Sequence, residues 1–338
     1  MIKVSYMDRL KIADILPQQI NLNQIDDSSG PYSMSYGFNP GPLAASISRI
    51  GLINSPILAR EGKGGAEDEF VVVSGFRRIR VLKKLNWTKA PCRVLPEATS
   101  PLKCLLLNLY ENLPVRNFNA VEMGMALTRL AELLPKEEVV KDFMPLFDLP
   151  SHEETLHLFM RIETTLETQA KDLVARGSLS LQAAKLLLEM DSAARQKICR
   201  YFSTIKFNKN QQAQFMDFVN DLSHIEDNPI SGLLDEPDLT EIRHNERMNS
   251  PQKARALIKL LRARRLPHLV KTEKRFRHMV ENLALPAGCQ ITPPPYFEGP
   301  NYKLEIFFKE GKDLRDKLLF MGKKEGLADL EDPWEKGA

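Results

Sequence analysis

The sequence has few cysteines and no long apolar run, and these shortages exclude several classes of protein. Cys92, Cys104, Cys199 and Cys289 are scattered, with no CxxC pair and no ligand-like spacing. Their distribution argues against a structural zinc site and is typical of a reducing compartment. No apolar run approaches the ~18 residues that span a bilayer, and the first ten residues lack the pattern of a secretory signal. We therefore expect a cytoplasmic protein without a membrane partner.

What the chain does contain is typical of a globular protein of two or three domains, with 43% apolar and 27% charged residues over 338 positions. Lys and Arg (47) nearly balance Asp and Glu (44), but the charges are unevenly placed. Residues 253–278 hold ten Lys or Arg and one acid. A polyanion partner is therefore expected at this local basic segment and not over the whole surface.

Hydrophobic periodicity predicts a mixed N-terminal part and a long helical part. In the N-terminal part we expect strands at 55–60, 70–73 and 90–95, a hairpin tip at 61–66, and helices at 43–50, 76–85 and 101–110. Residues 120–202 are predicted to be helical, with Ser151 and Glu154 as a capping box and Ser180 as a second cap. Residues 221–252 are turn-rich and polar and indicate a linker. A strand at 302–308 and a helix at 312–321 are expected near the end.

The junction around Gly75 is the most informative place in the sequence. A strand is predicted to end at Ser74 and a helix to begin at once, which leaves free backbone N–H groups at the helix N-terminus. Such termini bind phosphate, and Arg77, Arg78 and Arg80 would add charge and bidentate donors. The alternative is a solvated basic face on an amphipathic helix, and the residues alone leave both interpretations open.

Glu111 and Asn112 form a second candidate site at a predicted helix end. A carboxylate beside an amide oxygen could hold Mg²⁺ together with substrate phosphates. Asn before Pro114 is also ordinary helix capping. Two other patterns fail on spacing: His152 and His157 lie five apart and cannot share a metal as in HExxH, and the glycines at 62–65 lack the P-loop pattern.

The order of three motifs resembles the N-terminal domain of the ParB family, the DNA-binding CTPases of chromosome and plasmid partition. The motifs are Gly51–Ile57 (GLINSPI), Gly75–Arg80 (GFRRIR), and the pair Glu111–Asn112 followed by Asn119–Glu122 (NAVE). Residues 149–188 are similar to the helix-turn-helix domain of the family, and residues 302–319 to its C-terminal strand–helix dimerisation unit.

The resemblance implies a role for each motif. Gly75, Arg77 and Arg78 would bind the triphosphate of CTP, with Arg80 beside them, and Glu111 and Asn112 would hold Mg²⁺. The first motif, around Asn54, Ser55 and Pro56, would line the nucleotide pocket. The family usually has Glu where Phe76 stands, and Gln-Arg where Pro114 and Val115 stand, with Arg116 one place later. CTP turnover is therefore in question. Sulfiredoxin shares this fold but needs a Cys after the glycine, and Phe76 excludes that chemistry.

The predicted helix-turn-helix domain has an unfavourable charge for DNA. Residues 136–176 hold five basic and nine acidic residues, and the expected recognition helix opens with Glu153 and Glu154. The basic segment supplies the charge that this region lacks, unless it is only a solvated helical face. The candidate DNA contacts are Arg161, Lys253, Arg255, Lys259, Arg262, Arg264 and Arg265.

The sequence thus predicts an α+β protein of several domains. We expect a small mixed-sheet ParB/sulfiredoxin-like nucleotide-binding domain (1–118), an all-α helix-turn-helix DNA-binding domain (119–220), a linker (221–252), and a basic helical segment with the C-terminal dimerisation unit (253–338). The resemblance implies a nucleoid-associated homodimer that binds double-stranded DNA, uses CTP and Mg²⁺ as a clamp in partition, and meets a ParA-type ATPase. The alternative is a DNA-binding regulator or adaptor that keeps the fold without CTP turnover. A nuclease is not supported, because the sequence has no cluster of metal-binding acids.

Overall fold

The computed structural model describes residues 12–28, 30–61, 69–299, 301–328 and 330. The chain divides into two compact units, Met1–Ala213 and Gln214–Ala338. Among the described residues, no helix is both long enough and apolar enough to cross a membrane. The predicted division into four parts, with boundaries at 118, 220 and 252, stays a prediction.

A mixed sheet of five strands opens the described part of the first unit. Its strands are β1 (Gln18–Asn21), β2 (Ile25–Asp26), β3 (Ile57–Glu61), β4 (Glu69–Ser74) and β5 (Lys89–Val94). They lie in the order β1-β5-β3-β4-β2. β1 is antiparallel to β5 and β3 to β4, whereas β2 is parallel to β4 and β3 to β5. The three predicted strands and the α+β class are confirmed; the hairpin tip predicted at 61–66 lies outside the described residues beyond Glu61.

Three helices complete this sheet domain: α1 (Gly41–Ile50), α2 (Phe76–Lys84) and α3 (Pro101–Asn112). The run from Phe70 to Ser74 is buried at every position, because both faces of β4 are covered. On α2, Ile79 and Leu82 alternate with basic residues, so one side of the helix packs into the core and the other carries the charge. The predicted helices are confirmed to within two residues at each end.

Helices form the rest of the first unit: α4 (Ala120–Leu133), α5 (Lys136–Glu138), α6 (Glu153–Thr164), α7 (Thr168–Ala175), α8 (Leu181–Leu188) and α9 (Ser192–Thr204). A π-helical turn (Val139–Phe143) and a 3-10 turn (Met144–Phe147) join α5 to α6. Gly124 lies against the Phe159 carbonyl, so α4 and α6 cross at a distance that a larger side chain would prevent. Phe143, Leu156 and Phe159 fill the core at this crossing.

The helix caps differ from the sequence prediction at one of two places. Ser180 caps α8 as predicted, since its side chain accepts from the Ala183 N–H. The capping box predicted at Ser151 and Glu154 is wrong: α6 begins at Glu153 after His152, and no side chain caps it. A capping box is instead present at α4, between Asn119 and Glu122.

The unit boundary falls inside α10 (Lys209–Ile225), and the second unit continues with α11 (Ile230–Leu233), α12 (Pro237–His244), α13 (Ser250–Arg265) and α14 (Pro267–Leu283). Residues 221–252, where the composition predicts a linker, therefore hold the end of α10 and two short helices. Leu233, Leu234 and Leu239 are buried there. The leucines of this stretch are too few and too scattered to give a clear helical period, and for that reason the sequence did not predict these helices.

A small strand–helix element follows: β6 (Cys289–Thr292), β7 (Lys303–Ile306) and α15 (Gly311–Gly322). β6 and β7 pair antiparallel. The predicted strand at 302–308 and helix at 312–321 are confirmed, whereas β6 was not foreseen. Phe276 of α14 stacks on Tyr302 and meets Phe297 edge to face, which anchors the element to the helix before it. Its role in dimerisation stays a prediction.

Candidate functional site

The turn between β4 and α2 is built so that only glycine fits at its centre. Gly75 has φ +94° and caps α2 in the left-handed conformation. A Cβ there would lie 3.0 Å from the Pro56 Cα and 3.1 Å from the Arg78 Nε. The backbone of 75 therefore approaches the 54–56 segment closely. Among the described residues, no side chain caps the first N–H groups of α2. These groups and the helix dipole favour an anion at this point.

A cavity of about 200 Å³ opens beside this turn. Its lining comes from the 34–43 segment, the start of α2, the end of α3 and the loop after it: Met34, Ser35, Leu43, Gly75, Phe76, Arg77, Arg78, Asn108, Asn112 and Arg116. Four residues that the sequence predicted for phosphate or metal thus share one cavity, namely Gly75, Arg77, Arg78 and Asn112. Its volume suits part of a nucleotide, such as its phosphates, better than a whole drug-sized molecule.

Arg77 is held in place by two side chains. Its Nε donates to the Ser35 Oγ at 2.8 Å and its Nη2 to the Glu122 Oε1 at 2.7 Å. The guanidinium also lies over the Phe38 ring, 5.1 Å from the centroid. Within the part of the chain that the structure describes, Nη1 has no partner. Arg77 therefore has a fixed plane and spare donors at the cavity.

Arg78 joins the first and third sequence motifs. Its Nη1 donates to the Asn54 carbonyl at 2.9 Å and its Nη2 to the Glu111 Oε1 at 2.7 Å. The second carboxylate oxygen of Glu111 is buried and has no hydrogen-bond partner among the described residues. A buried carboxylate oxygen without a donor is costly unless a cation or a donor from a ligand meets it.

Asn112 is already engaged by Arg116. The Arg116 Nε donates to the Asn112 Oδ1 at 2.9 Å, its Nη1 to the Glu122 Oε2 at 2.7 Å and its Nη2 to the Met34 carbonyl at 2.6 Å. Burial lowers the pKa of Arg116, and the Glu122 carboxylate opposes that shift. Arg116 therefore uses all three side-chain nitrogens to hold together residues around the cavity.

The donor set fits Mg²⁺ in part. Glu111 offers one unpartnered oxygen, whereas the Asn112 oxygen would have to leave Arg116. Among the described residues no group of three or more His, Cys, Asp or Glu could hold a metal. One or two protein oxygens are enough for Mg²⁺ when phosphates and water complete its shell. The site thus suits a metal that arrives with a phosphate ligand.

The structure separates other predicted residues from this cavity. Asn54 and Ser55 line a neighbouring cavity of about 530 Å³ that also touches Glu111, and Pro56 lies beneath Gly75. Arg80 is exposed and lines a third cavity with Lys84. As nucleotide ligands all these residues remain predictions.

Arg116 and Glu122 were not among the predicted site residues. Arg116 stands one place later than the family pattern, yet its side chain reaches the cavity. Glu122 is the last residue of the third motif. The one feature of the sequence that could have indicated a role is its spacing from Asn119, which is the spacing of a capping box.

The predicted DNA contacts fall into two groups. Arg161 donates to Glu189 and to the Leu188 carbonyl. In the second unit, three arginines of α13 are paired with acids: Arg262 with Glu273, Arg264 with Glu226 and Glu236, and Arg265 with Asp221. The hydrogen bonds that Arg262 and Arg264 donate to these carboxylates raise the pKa of both arginines. Three of the ten cations counted in residues 253–278 are therefore neutralised within the protein.

The remaining cations of the basic segment point outward. Arg255 and Lys259 on α13 are exposed, and so are four residues on α14: Lys271, Lys274, Arg275 and Arg277. No ion pair is formed by these six residues within the described parts of the chain, while Lys253 donates to the Arg243 carbonyl. We call Lys271, Lys274, Arg275 and Arg277 the outer basic face of α14. The apolar side of the same helix, with Leu269 and Phe276, is buried.

A third surface is apolar and lies on the strand–helix element. Phe307 is 68% exposed and Phe308 51%, and on α15 Leu318 and Leu319 are 49% and 53% exposed. Several large apolar side chains exposed on so small an element are typical of a contact surface.

Comparison with known proteins confirms the resemblance to the ParB family for the N-terminal part of the chain. The family model of the ParB N-terminal domain matches residues 13–113. Two curated relatives, each called nucleoid occlusion protein, come from Geobacillus thermodenitrificans (strain NG80-2) and Lysinibacillus sphaericus (strain C3-41). They are 34% and 32% identical over 91 residues, which is 27% of this chain. The match spans only 30% and 28% of the length of these relatives.

Two solved structures are also similar, both of the C-terminally truncated chromosome-partitioning protein ParB from Caulobacter crescentus. The one complexed with CTP-gamma-S is 14% identical, with a TM-score of 0.26, and the match covers 55% of this chain and 98% of that one. The one complexed to the centromeric parS site is 15% identical, with a TM-score of 0.31, and covers 54% and 91%.

Proposed function

We propose that this protein is a ParB-like DNA-binding protein that binds CTP with Mg²⁺ in the cavity at Gly75. The observation that carries the proposal is the convergence of the uncapped α2 N-terminus, Arg77, Arg78 and Asn112 on one small cavity. This cavity lies within residues matched by the ParB N-terminal domain model, together with the loop that follows them. Preference for CTP is carried over from the family resemblance.

Each residue has a defined task in nucleotide binding. The α2 amides and Arg77 would bind phosphate oxygens. Arg78 would have to exchange Glu111 for a phosphate, which leaves Glu111 to hold the metal. Mg²⁺ supplies positive charge that bridges the phosphates and lowers their mutual repulsion. Asn108 and Asn112 would orient the ligand through their amides.

The DNA contact and the dimer form the second part of the proposal. The outer basic face of α14 supports contact with DNA phosphates, because its cations are exposed and form no ion pair among the described residues. The apolar surface formed by Phe307 and Phe308 after β7 and by Leu318 and Leu319 on α15 supports a homodimer. Closure of such a dimer as a CTP-dependent clamp in DNA partition follows from the family resemblance, as does a ParA-type ATPase partner.

A second candidate is a DNA-binding regulator or adaptor that does not turn CTP over. It is favoured by Phe76, which stands where the family usually has Glu and whose side chain is buried in the sheet core with Ile79 and Leu82. A buried phenyl ring cannot orient water or metal. The two candidates share the fold and differ only in phosphate release.

The test is calorimetry with CTP and Mg²⁺, and with ATP as the comparator, followed by phosphate release with and without duplex DNA. The leading proposal expects CTP binding that exceeds ATP binding. Absence of CTP binding at millimolar nucleotide would discard it. Binding without phosphate release would favour the adaptor.

A further inference from the structure

We infer that Glu122 is the positioning residue of this cavity, and that its negative charge aims Arg77 at an anionic ligand. The inference rests on the proposed function insofar as the ligand is a nucleotide. It concerns a residue that would touch no part of the ligand and would act on it through Arg77.

Glu122 is the most constrained carboxylate near the cavity, with a side chain only 1% exposed. Its Oε1 accepts from the Tyr36 N–H at 3.0 Å and from Arg77 at 2.7 Å. Its Oε2 accepts from Arg116 at 2.7 Å and from the Asn119 N–H at 3.2 Å. Both oxygens are thus fully used, and the buried charge is offset by two guanidinium groups and the N-terminus of α4.

Helix capping by itself does not explain a charged residue here. In the capping box of α4, Glu122 stands at the third helical position, where the amide oxygen of Gln can accept the same backbone N–H. Asn249 and Gln252 form such a box at α13 in this same chain. What Gln cannot do is balance two cations in a buried place. The carboxylate at 122 is therefore explained by Arg77 and Arg116.

The two arginines use Glu122 differently. Arg116 spends all three nitrogens on protein acceptors and has its guanidinium 4.1 Å from the centre of the Phe118 ring. Arg77 donates from Nε to Ser35 and from one N–H of Nη2 to Glu122. The rest of its guanidinium remains available at the cavity it lines. Bidentate binding of phosphate depends on the plane of that group, which Ser35 and Glu122 fix together.

The same carboxylate could instead oppose the ligand, because it brings negative charge near the expected phosphates. The triad of Arg77, Arg116 and Glu122 keeps a net charge of +1, so it still attracts anions. Glu122→Gln raises that charge but leaves two neighbouring guanidinium groups without their shared partner. The sign of the change in affinity therefore separates positioning from competition.

The experiment measures affinity for CTP with Mg²⁺ and for inorganic tripolyphosphate by calorimetry. The variants are Glu122→Gln, Arg77→Ala and the double variant. Glu167→Gln is the matched control, since Glu167 also binds an arginine, Arg195, but on the α7–α9 side of the unit. We expect Glu122→Gln to weaken both ligands about tenfold, the worth of one charge-assisted hydrogen bond. In the Arg77→Ala background it should add less than about twofold, because residues that act as one unit are not additive.

Unfolding temperature and amide exchange of the Tyr36 N–H are recorded for every variant. If Glu122→Gln does not fold, Glu122→Asp serves instead, because it keeps the charge and shortens its reach to Arg77. Unchanged or tighter binding, or full additivity with Arg77→Ala, would overturn the inference. A parent protein that binds tripolyphosphate but not CTP would defeat the proposed function and leave Glu122 in its role. A parent that binds neither ligand would defeat both.

Discussion

Arg78 and Glu111 form an ion pair of 2.7 Å between the first turn of α2 and the end of α3. The two side chains are 18% and 37% exposed, so water screens the pair only in part. Arg78 is expected to bind a phosphate and Glu111 a metal, but in this structure the two side chains neutralise each other. Binding of a metal–phosphate ligand would exchange both contacts at once.

Arg78→Ala is expected to weaken CTP binding at least tenfold. The change removes donors whose hydrogen bonds to charged oxygens are each worth about 1.5–3 kcal/mol. Calorimetry at fixed Mg²⁺ measures the loss. Arg49→Ala is the control, because Arg49 is exposed at the end of α1 and does not line the cavity. Equal CTP affinity of the Arg78 and Arg49 variants would show that Arg78 does not bind the nucleotide.

Glu111→Gln should abolish most of the Mg²⁺ dependence of nucleotide binding. The amide carries no charge for the metal, and it also releases Arg78 from its ion pair. We expect the ratio of affinities with Mg²⁺ and with EDTA to fall by about tenfold, as for one lost charge-assisted contact. Glu97→Gln is the control, since Glu97 is 79% exposed and, among the described residues, meets only Arg60, at 4.0 Å. An unchanged ratio would assign the metal to other oxygens.

Alanine at Lys271, Lys274 and Arg275 should flatten the salt dependence of DNA binding. Each lost phosphate contact lowers the slope of log K against log salt by about 0.9, so the triple variant loses up to about 2.7. Affinity should fall alike for all sequences. Titrations of fluorescent duplex DNA at several salt concentrations give the slope.

The matched control for that variant replaces Arg262, Arg264 and Arg265 with alanine. These arginines are paired with acids, so their loss should lower thermal stability while changing the slope less. If the control flattens the slope and the α14 variant does not, the DNA contact lies on α13.

Leu318→Glu combined with Leu319→Glu should convert a dimer into monomers at micromolar concentration. Both side chains are about half exposed on α15. A two-stranded sheet with one helix is too small to be stable alone, so a second copy is expected to cover its apolar side. Light scattering measures the mass. Leu181→Glu, at a side chain 41% exposed on α8, is the control. A monomeric parent protein would contradict this prediction.

Glu167 should stabilise the fold only above acidic pH. Hydrogen bonds from Arg195 lower the pKa of Glu167 from 4.5 to about 2. The folded protein therefore holds this proton less tightly than the unfolded chain, and the stabilisation present above pH 4.5 is lost as the pH falls toward 2. Urea unfolding of the parent and of Glu167→Gln should differ at pH 7 and converge near pH 2. A constant difference at all pH values would refute the pKa shift.

Local sequence patterns determined the parts of this protein that depend on neighbouring residues. The β-branched run before Gly75 predicted β4, and the change of period after it predicted α2. Gly75 between them permits the left-handed turn, because it has no Cβ. The order of three short motifs also identified the ParB resemblance over the sheet domain, because each motif is a local turn or helix end.

Tertiary structure alone decided which basic side chains are paired with acids and which are available to an anionic ligand or to DNA. Arg77 and Arg116 meet at Glu122, and Arg264 meets Glu226 and Glu236. The partners of Arg264 lie 38 and 28 positions away. A count of charges along 253–278 treats every cation alike, whereas an ion pair depends on distance through space between helices. The sequence therefore located the basic segment, and only the packing of α13 against α14 and against the ends of α10 and α12 showed which of its arginines are neutralised.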